Sequence, residues 1–260
     1  MNRQKLILLF SLALVIFNCK NENSKTDTDI LQNETVIETS QTSVNVIPIS
    51  HGTFILESED RVIYIDPTGG KEAFSNQKAP TLILITDIHS DHLDVETLKA
   101  LEIANIPIIA PAAVVELLPE TMSKAITTLN NGESYEIETV SIEAIPMYNL
   151  REEALKFHPK GRGNGYLLNL NGERIYISGD TEDIPEMRNL ENIDKAFICM
   201  NLPYTMSVES AASAVLDFEP KRVYPYHYRG TDGLSDVEKF KKLVNKENKS
   251  IVVQLLKWYD

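Results

Sequence analysis

The sequence TLILITDIHSDH at residues 81–92 contains the two features on which the fold assignment depends. Its first half, residues 81–86, is an almost unbroken apolar run, which is typical of a strand buried on both faces. Its second half contains four possible metal ligands, Asp87, His89, Asp91 and His92. Because imidazole and carboxylate groups together bind Zn²⁺ or Mn²⁺, the stretch predicts a metal site at a strand end. A solvated turn, with Asp94 capping the next helix, is the alternative.

Composition restricts the classes of protein that the chain can belong to. The 260 residues are 43% hydrophobic and 24% charged, which indicates a globular chain with a substantial core. A formal charge of −13, from 38 acidic and 25 basic residues, predicts that nucleic acid is not a partner. The only two cysteines, Cys19 and Cys199, are too far apart for a paired-cysteine zinc motif. Any metal must therefore be held by histidines and carboxylates.

The amino terminus predicts export. Residues 1–18 consist of a short basic head and an apolar run that is shorter than the roughly 20 residues of a membrane span, as in a signal peptide. Cys19 directly after this run resembles the lipobox of bacterial lipoproteins, although Asn18 departs from the usual small residue. Residues 19–43 are polar and predict a tether.

We therefore expect an exported bacterial lipoprotein that faces the periplasm or the cell surface and contacts the membrane only through a lipid on Cys19. A plain secreted protein and an uncleaved anchor are the alternatives.

The remaining residues, 44–260, predict one domain in which sheets are covered by helices. Helices are expected at 94–104, 112–118, 208–218 and 236–244. The predicted strands are 44–49, 53–56, 61–65, 81–86, 107–109, 125–129, 140–146, 166–170, 174–178, 195–200, 222–226 and 251–256. Periodicity alone does not fix how these strands pair.

Three further ligand candidates lie next to apolar strands. Taken singly, His158 in a turn-rich loop, Asp180 in a Gly-Asp turn and His227 after a strand each fit a purely structural role. If the strand ends converge, however, the candidates together are enough for two metal ions that share a bridging carboxylate. The full set is Asp87, His89, Asp91, His92, His158, Asp180 and His227.

This set, in this order, resembles the metallo-β-lactamase superfamily, whose first signature T-H-x-H-x-D-H corresponds to residues 86–92 here. The resemblance covers about residues 44–256. It is closest to the branch of ascorbate-6-phosphate lactonase-like and N-acylphosphatidylethanolamine phospholipase D-like hydrolases, because His51 and the Ile-Asp-Pro turn at 65–67 match the start of that branch. The implied fold is α+β, a four-layer αββα sandwich with the site at one edge of its two sheets.

The resemblance also implies a ligand assignment. One metal would be held by Asp87, His89 and His158, the other by Asp91, His92 and His227, and Asp180 would bridge the two. We expect two divalent ions, Zn²⁺ first, with Mn²⁺ or Fe as alternatives. Asp87 stands where the family has its first histidine, which leaves a single-metal enzyme as a further alternative.

The expected activity is metal-dependent hydrolysis of a small-molecule ester, lactone, amide or phosphodiester by a metal-bound hydroxide that Asp91 helps to orient. A mononuclear iron oxidoreductase and a tethered protein that binds a metal or ligand without turnover are the alternatives.

Pocket walls are expected from the loops at 70–79 and 149–165. Outside the ligand set, His51 and Asp66 are candidates for orienting ligands, with a structural role as the alternative. Lys160 and Arg162 are candidates for contacting an anionic substrate, with ordinary surface positions as the alternative.

Overall fold

Two mixed β-sheets form the body of the protein. A computed structural model describes residues 43–259, apart from the side chains of residues 123–125. The predicted signal peptide at 1–18 and all but the last residue of the predicted tether at 19–43 lie outside the described residues. Within residues 43–259, no helix combines the length and the apolar composition that crossing a membrane requires.

The first sheet contains six strands in chain order, antiparallel from β1 to β3 and parallel from β3 to β6. Its strands are β1 (Asn45–Ser50), β2 (Thr53–Glu57), β3 (Val62–Ile65), β4 (Leu82–Leu84), β5 (Ile108–Ala110) and β6 (Ile126–Thr128).

The second sheet repeats this pattern with seven strands in the order β7-β8-β9-β10-β11-β12-β15. Pairing is antiparallel from β7 to β10 and parallel from β10 to β15. A small hairpin of β13 (Arg229–Gly230) and β14 (Gly233–Leu234) lies outside both sheets. The strands of the second sheet are β7 (Ser134–Ile137), β8 (Val140–Met147), β9 (Gly163–Leu170), β10 (Glu173–Ile177), β11 (Lys195–Ile198), β12 (Arg222–Pro225) and β15 (Val252–Val253).

Helices cover both sheets. In the described part of the chain they are α1 (Val95–Ala100), α2 (Ala112–Val115), α3 (Pro185–Arg188), α4 (Val208–Phe218) and α5 (Val237–Glu247), with short 3₁₀ helices at Lys71–Phe74, Glu120–Ala125 and Glu152–Ala154. Leu98 of α1 and Val114 of α2 belong to the apolar cluster of the first sheet. On the second sheet, the ring of Phe218 in α4 meets the ring of Tyr176 edge-on, with centroids 6.2 Å apart. The predicted four-layer αββα sandwich is confirmed.

The core explains why apolar residues follow one another without polar alternation in β2 and β3. Along β2 and β3, alternate residues belong to two different clusters: Phe54 and Ile63 to the cluster shared with the second sheet, Ile55 and Tyr64 to the cluster under α1 and α2. Because successive side chains of a strand point to opposite faces, a sheet covered on both faces needs apolar residues on both.

Several predicted elements differ from the structure in extent. Helix α4 has the predicted bounds, whereas β4 is shorter than the predicted strand at 81–86. At the carboxyl end of the predicted strand, the Thr86 N–H donates to the carboxylate of Asp66 at 2.7 Å instead of to a neighbouring strand. The predicted strand at 251–256 is reduced to β15, and the helix predicted at 94–104 to α1, whose N-cap is Asp94. Strand β7, the small hairpin and α3 were not predicted.

Hydrogen bonds hold the two sheets together at one edge. The backbone N–H of Asn164, in β9, donates to the Thr86 carbonyl at 2.9 Å, and its side-chain amide donates to the Leu129 carbonyl at 2.7 Å. The buried hydroxyl of Tyr166 donates to the Ile85 carbonyl at 2.7 Å. These bonds fix the position of the segment after β4 relative to β9.

Tyr166→Phe is expected to lower the free energy of unfolding by about 1–3 kcal/mol, because it leaves the Ile85 carbonyl buried without its donor. Tyr176→Phe is the matched control, since that hydroxyl is equally buried and has no hydrogen-bond partner among the described residues. Its removal is expected to leave the stability unchanged or to raise it. Urea unfolding of both variants measures the difference, and equal losses in the two would contradict the assigned inter-sheet bond.

Candidate metal centre

The predicted ligands follow strands that end at the same edge of the sandwich. Asp87 to His92 follow β4, Asp180 follows β10 and His227 follows β12, whereas His158 lies in the connection before β9. Parallel strands place their carboxyl ends together, so the side chains converge. All five histidines of the chain lie here: His51, His89, His92, His158 and His227.

The carboxylate of Asp180 lies at the centre of the cluster. Its Oδ2 is 3.5 Å from Nε2 of His92 and 3.4 Å from Nε2 of His158. Its Oδ1 is 3.5 Å from Nε2 of His227. All four residues are buried. Burial by itself raises the pKa of Asp180, but the positive charges of His227 and His92 outweigh it and hold this pKa below its usual value.

Three ligand atoms of this group have no hydrogen-bond partner among the described residues. They are Nε2 of His92, Oδ1 of Asp180 and Nε2 of His227, and all are buried. Ligand atoms of these three residues lie within 4.8 Å of one another. Buried polar atoms without partners are costly, and two imidazole nitrogens with a carboxylate oxygen are ligands of a divalent ion. The donor set therefore fits a metal.

Asp91 extends this group toward solvent. Its Oδ2 is 3.3 Å from Nε2 of His227 and its Oδ1 is 4.0 Å from Nε2 of His92. The side chain is 43% exposed, so its carboxylate faces both the buried group and the opening. Burial raises the pKa of Asp91, but the nearby rings of His227 and His51 and the charge of His92 outweigh burial and lower it far below its usual range. Asp91 is therefore ionised at neutral pH.

Asp66 orients His92. The Asp66 Oδ2 accepts from the Thr86 hydroxyl at 2.6 Å and from Nδ1 of His92 at 2.8 Å. Since Nδ1 donates to Asp66, Nε2 of His92 is the nitrogen that faces Asp180 and is available for an ion. Burial lowers the pKa of His92, but the carboxylates of Asp180 and Asp66 outweigh burial and raise it. A divalent ion competes with a proton for this nitrogen.

His51 orients Asp91, and Tyr259 fixes the tautomer of His51. The Tyr259 hydroxyl oxygen accepts from the backbone N–H groups of Tyr228 and Arg229 at 3.0 and 3.1 Å. Its own proton is therefore donated to Nδ1 of His51, 2.8 Å away. Nε2 of His51 then carries the ring proton and donates to Oδ2 of Asp91 at 3.2 Å. Burial is the largest effect on the pKa of His51 and lowers it, so the ring is neutral at pH 7.

Backbone strain accompanies these roles. His51, Asp66 and His227 have φ values of 52°, 45° and 46°, a region that non-glycine residues rarely adopt and that concentrates at functional sites. Between His51 and the ligands, Gly52 allows close approach, because a Cβ there would lie 2.9 Å from Cδ2 of His227. The sequence suggested orienting roles for His51 and Asp66, and the structure shows their contacts.

Asp87 has a different environment from Asp180. It is fully buried, and its carboxylate accepts two hydrogen bonds from Arg162, from Nε at 3.2 Å and from Nη2 at 3.0 Å. Nδ1 of His89 is 2.5 Å from Oδ2 of Asp87. Burial raises the pKa of Asp87, but the hydrogen bond from His89 and the charges of His92, His89 and Arg162 together lower it. Ligand atoms of Asp87, His89 and His158 also lie within 4.8 Å of one another.

His158 links the two carboxylates. Its Nδ1 is 3.2 Å from the Tyr204 carbonyl, to which it donates, so Nε2 has the free lone pair. That Nε2 is 3.4 Å from Oδ2 of Asp180 and 3.9 Å from Oδ2 of Asp87. Burial lowers the pKa of His158 and outweighs the opposing effect of Asp180. The neutral ring is suited to metal ligation.

A cavity of about 410 Å³ opens over the cluster. Its lining comprises His89, Ser90, Asp91, Phe157, His158, Asp180, Asn201 and Tyr204. The predicted wall at 149–165 thus contributes, but the predicted wall at 70–79 does not, because Phe74 stacks on Tyr64 under the first sheet. Lys160 is turned away as well, since its Nζ donates to Glu186 at 2.8 Å.

The structure brings all seven predicted ligands together. Two contributors were not singled out as such from the sequence: Arg162 as the partner of Asp87, and Tyr259 as the partner of His51. Arg162 and Asp87 are 75 residues apart in the sequence, and Tyr259 and His51 are 208 residues apart. No local sequence pattern therefore indicates either contact.

NMR of ¹⁵N-histidine-labelled protein is expected to show His51 protonated at Nε2 and unprotonated at Nδ1 at pH 7. In Tyr259→Phe the Nδ1 resonance is expected to move toward the tautomer average, because the donor that fixes the ring is gone. Tyr228→Phe is the control, since the Tyr228 backbone, not its hydroxyl, bonds to Tyr259. A wild-type ring protonated at Nδ1 would contradict the assigned network.

Comparison with known proteins agrees with this geometry. A family model described as "Beta-lactamase superfamily domain" matches residues 46–227. A UPF0173 metal-dependent hydrolase of Thermococcus onnurineus is 31% identical over 224 residues, covering 81% of this chain and 96% of the relative. A second, from Pyrococcus abyssi, is 29% identical over 221 residues with the same coverage of both chains.

Solved structures show the same fold. A protein from Parabacteroides distasonis that was assigned as a metal-dependent hydrolase is 36% identical, with a TM-score of 0.73 and coverage of 83% of this chain and 94% of that one. Igni18, a metallo hydrolase from Ignicoccus hospitalis, shares the fold at 22% identity, with a TM-score of 0.68 and coverage of 83% and 95%. The chain therefore belongs to the beta-lactamase superfamily and is a metal-dependent hydrolase with the metallo-β-lactamase fold.

Proposed function

We propose that this protein hydrolyses a small-molecule ester, lactone, amide or phosphodiester at a divalent ion held by His92, Asp180 and His227, with Asp91 and His158 beside them. The observation that carries the proposal is the convergence of three buried ligand atoms without hydrogen-bond partners beneath an open cavity. Mixed imidazole and carboxylate ligation favours Zn²⁺, and Mn²⁺ or Fe are the alternatives.

The ion would supply Lewis acidity, which polarises a scissile oxygen and lowers the pKa of a bound water to about 7. The remaining steps belong to the chain's own residues. Asp91 is held at Oδ2 by His51 and is partly exposed to the cavity, so its carboxylate can orient the attacking water. Asp66 keeps the proton of His92 on Nδ1 and so keeps Nε2 available as a ligand.

The cavity limits the size and character of the substrate. About 410 Å³ is within the range of small-molecule pockets. The rings of Phe157 and Tyr204 pack edge to face at 5.1 Å on one side and offer an apolar wall, and Asn201 offers an amide. A substrate with an apolar group next to the scissile bond fits this combination.

His92→Ala and His227→Ala are each expected to lose the bound ion and to reduce hydrolysis by at least about 100-fold. Changing a residue that only hydrogen-bonds to a metal ligand already reduces metal affinity or activity by about 10–100-fold. The measurements are elemental analysis of the purified protein and turnover of an ester, lactone, amide and phosphodiester panel with added Zn²⁺ or Mn²⁺. Tyr176→Phe is the control for a buried substitution outside the site. Unchanged turnover in the histidine variants would sink the proposal, and bound metal without turnover on any substrate would favour passive binding.

For location, we propose an exported lipoprotein anchored through Cys19 and facing the periplasm or the cell surface. The support is the sequence: a basic head, a short apolar run, a cysteine directly after it and a polar stretch. The acylated cysteine would hold the domain near the membrane by a lipid alone.

Cys19→Ala is expected to move the protein from the membrane fraction to the soluble fraction and to abolish incorporation of labelled palmitate. Cys199→Ala is the matched control, because Cys199 is a buried core thiol whose loss leaves the amino terminus intact. Wild-type protein found entirely in the soluble fraction would refute the anchor.

A further inference from the structure

Three groups of residues at the site have ligand atoms close enough to hold an ion. The group of His51, Asp91 and His227 shares His227 with the Asp180 cluster, so two separate clusters remain, and they differ in how their carboxylates are satisfied. Around Asp180, buried atoms of three residues lack hydrogen-bond partners among the described residues. Around Asp87, both carboxylate oxygens accept hydrogen bonds from Arg162, and Oδ2 is also 2.5 Å from Nδ1 of His89. The Asp180 cluster therefore has buried ligand atoms available for a cation, whereas the Asp87 carboxylate is already paired with the guanidinium of Arg162.

We propose that the guanidinium of Arg162 takes the place of the second metal ion, so that the hydrolase works with one divalent ion at the Asp180 cluster. This inference rests on the proposed function and narrows it. The expectation of two ions, drawn from the superfamily signature, does not fit the hydrogen bonding of Asp87.

The position of Arg162 is fixed by its surroundings. Its Nη2 also donates to the Phe157 carbonyl, and the side chain is only 19% exposed. The next residue, Gly163, allows the chain to pass close to Asp87, because a Cβ there would lie 2.9 Å from the Thr86 carbonyl oxygen and 3.2 Å from Oδ1 of Asp87. The guanidinium is therefore held between the Phe157 carbonyl and the Asp87 carboxylate.

Formal charges support the same conclusion. Asp87 and Arg162 cancel, which leaves only histidines to attract a cation to the Asp87 cluster. Asp180 and Asp91 together carry two negative charges next to His92 and His227, which matches one divalent ion. An ion at Asp87 would have to displace a forked, charge-assisted hydrogen-bond pair and leave a guanidinium beside it in a buried site.

The two remaining residues of the Asp87 cluster, His158 and His89, have contacts outside that cluster. His158 has its Nε2 closer to Asp180 than to Asp87, at 3.4 Å against 3.9 Å, so it adds to the single centre. His89 has Nδ1 fixed by Asp87, and its ring is 40% exposed and lines the cavity. His89 is therefore placed to contact the substrate.

The test is metal stoichiometry of the full-length protein, stripped with a chelator and titrated with Zn²⁺ in equilibrium dialysis, with Co²⁺ absorption as an independent readout. One ion per chain is expected in the wild type and none in His227→Ala. Arg162→Lys keeps the positive charge and is expected to bind one ion, whereas Arg162→Met frees the Asp87 carboxylate and is expected to bind two.

Arg162→Met leaves a buried carboxylate without its partner and can impair folding. The double variant Asp87→His with Arg162→Gln avoids this, because neither new side chain carries a fixed charge, and it is also expected to bind two ions. A wild type with two ions, or a folded double variant with one, would overturn the inference and leave the proposed function standing. No ion in any variant would overturn both.

Discussion

The burial of the Asp180 carboxylate among the imidazoles of His92, His158 and His227 is the constraint on which the site depends. An anion at this depth is tolerated only if positive charge reaches it, either from protonated imidazoles or from a metal ion. A divalent ion satisfies the carboxylate and the nitrogens together. The surrounding contacts follow from this need, since Asp66 and His51 do not reach the centre and act by fixing His92 and Asp91.

The sandwich provides the geometry that this constraint requires. Asp180 and His227 come from the second sheet and His92 from the first, so the ligands converge only if the two sheets keep their relative position. Apolar burial between the sheets has little directional preference. The bonds from Asn164 to the Thr86 carbonyl and from Tyr166 to the Ile85 carbonyl supply the direction, because each joins β9 to the segment that carries the first ligands.

The sequence predicts those features that depend on neighbouring residues. Apolar runs locate most strands, the Asp87 to His92 motif locates the site, and helix α4 has its predicted bounds. Features that depend on distant residues are not predictable in this way. The two sheets have the same pattern of strand pairing, but the sequence shows no repeat, because strands in equivalent positions differ in sequence. The partnership of Tyr259 with His51 spans 208 residues, and only the fold reveals it.

The aspartate at position 87 and the arginine at position 162 are best understood as one unit. A buried Asp87 without a cation would be an uncompensated charge, and the half-buried Arg162 opposite a histidine would be another. Either residue alone is therefore destabilising, whereas the pair carries no net charge. A histidine at position 87 opposite an uncharged residue at position 162 would carry no net charge either. An aspartate at position 87 thus requires a cation beside it, and the residue that supplies it lies 75 residues away along the chain. The same pairing satisfies the Asp87 carboxylate without an ion and leaves the ligand atoms around Asp180 available for one.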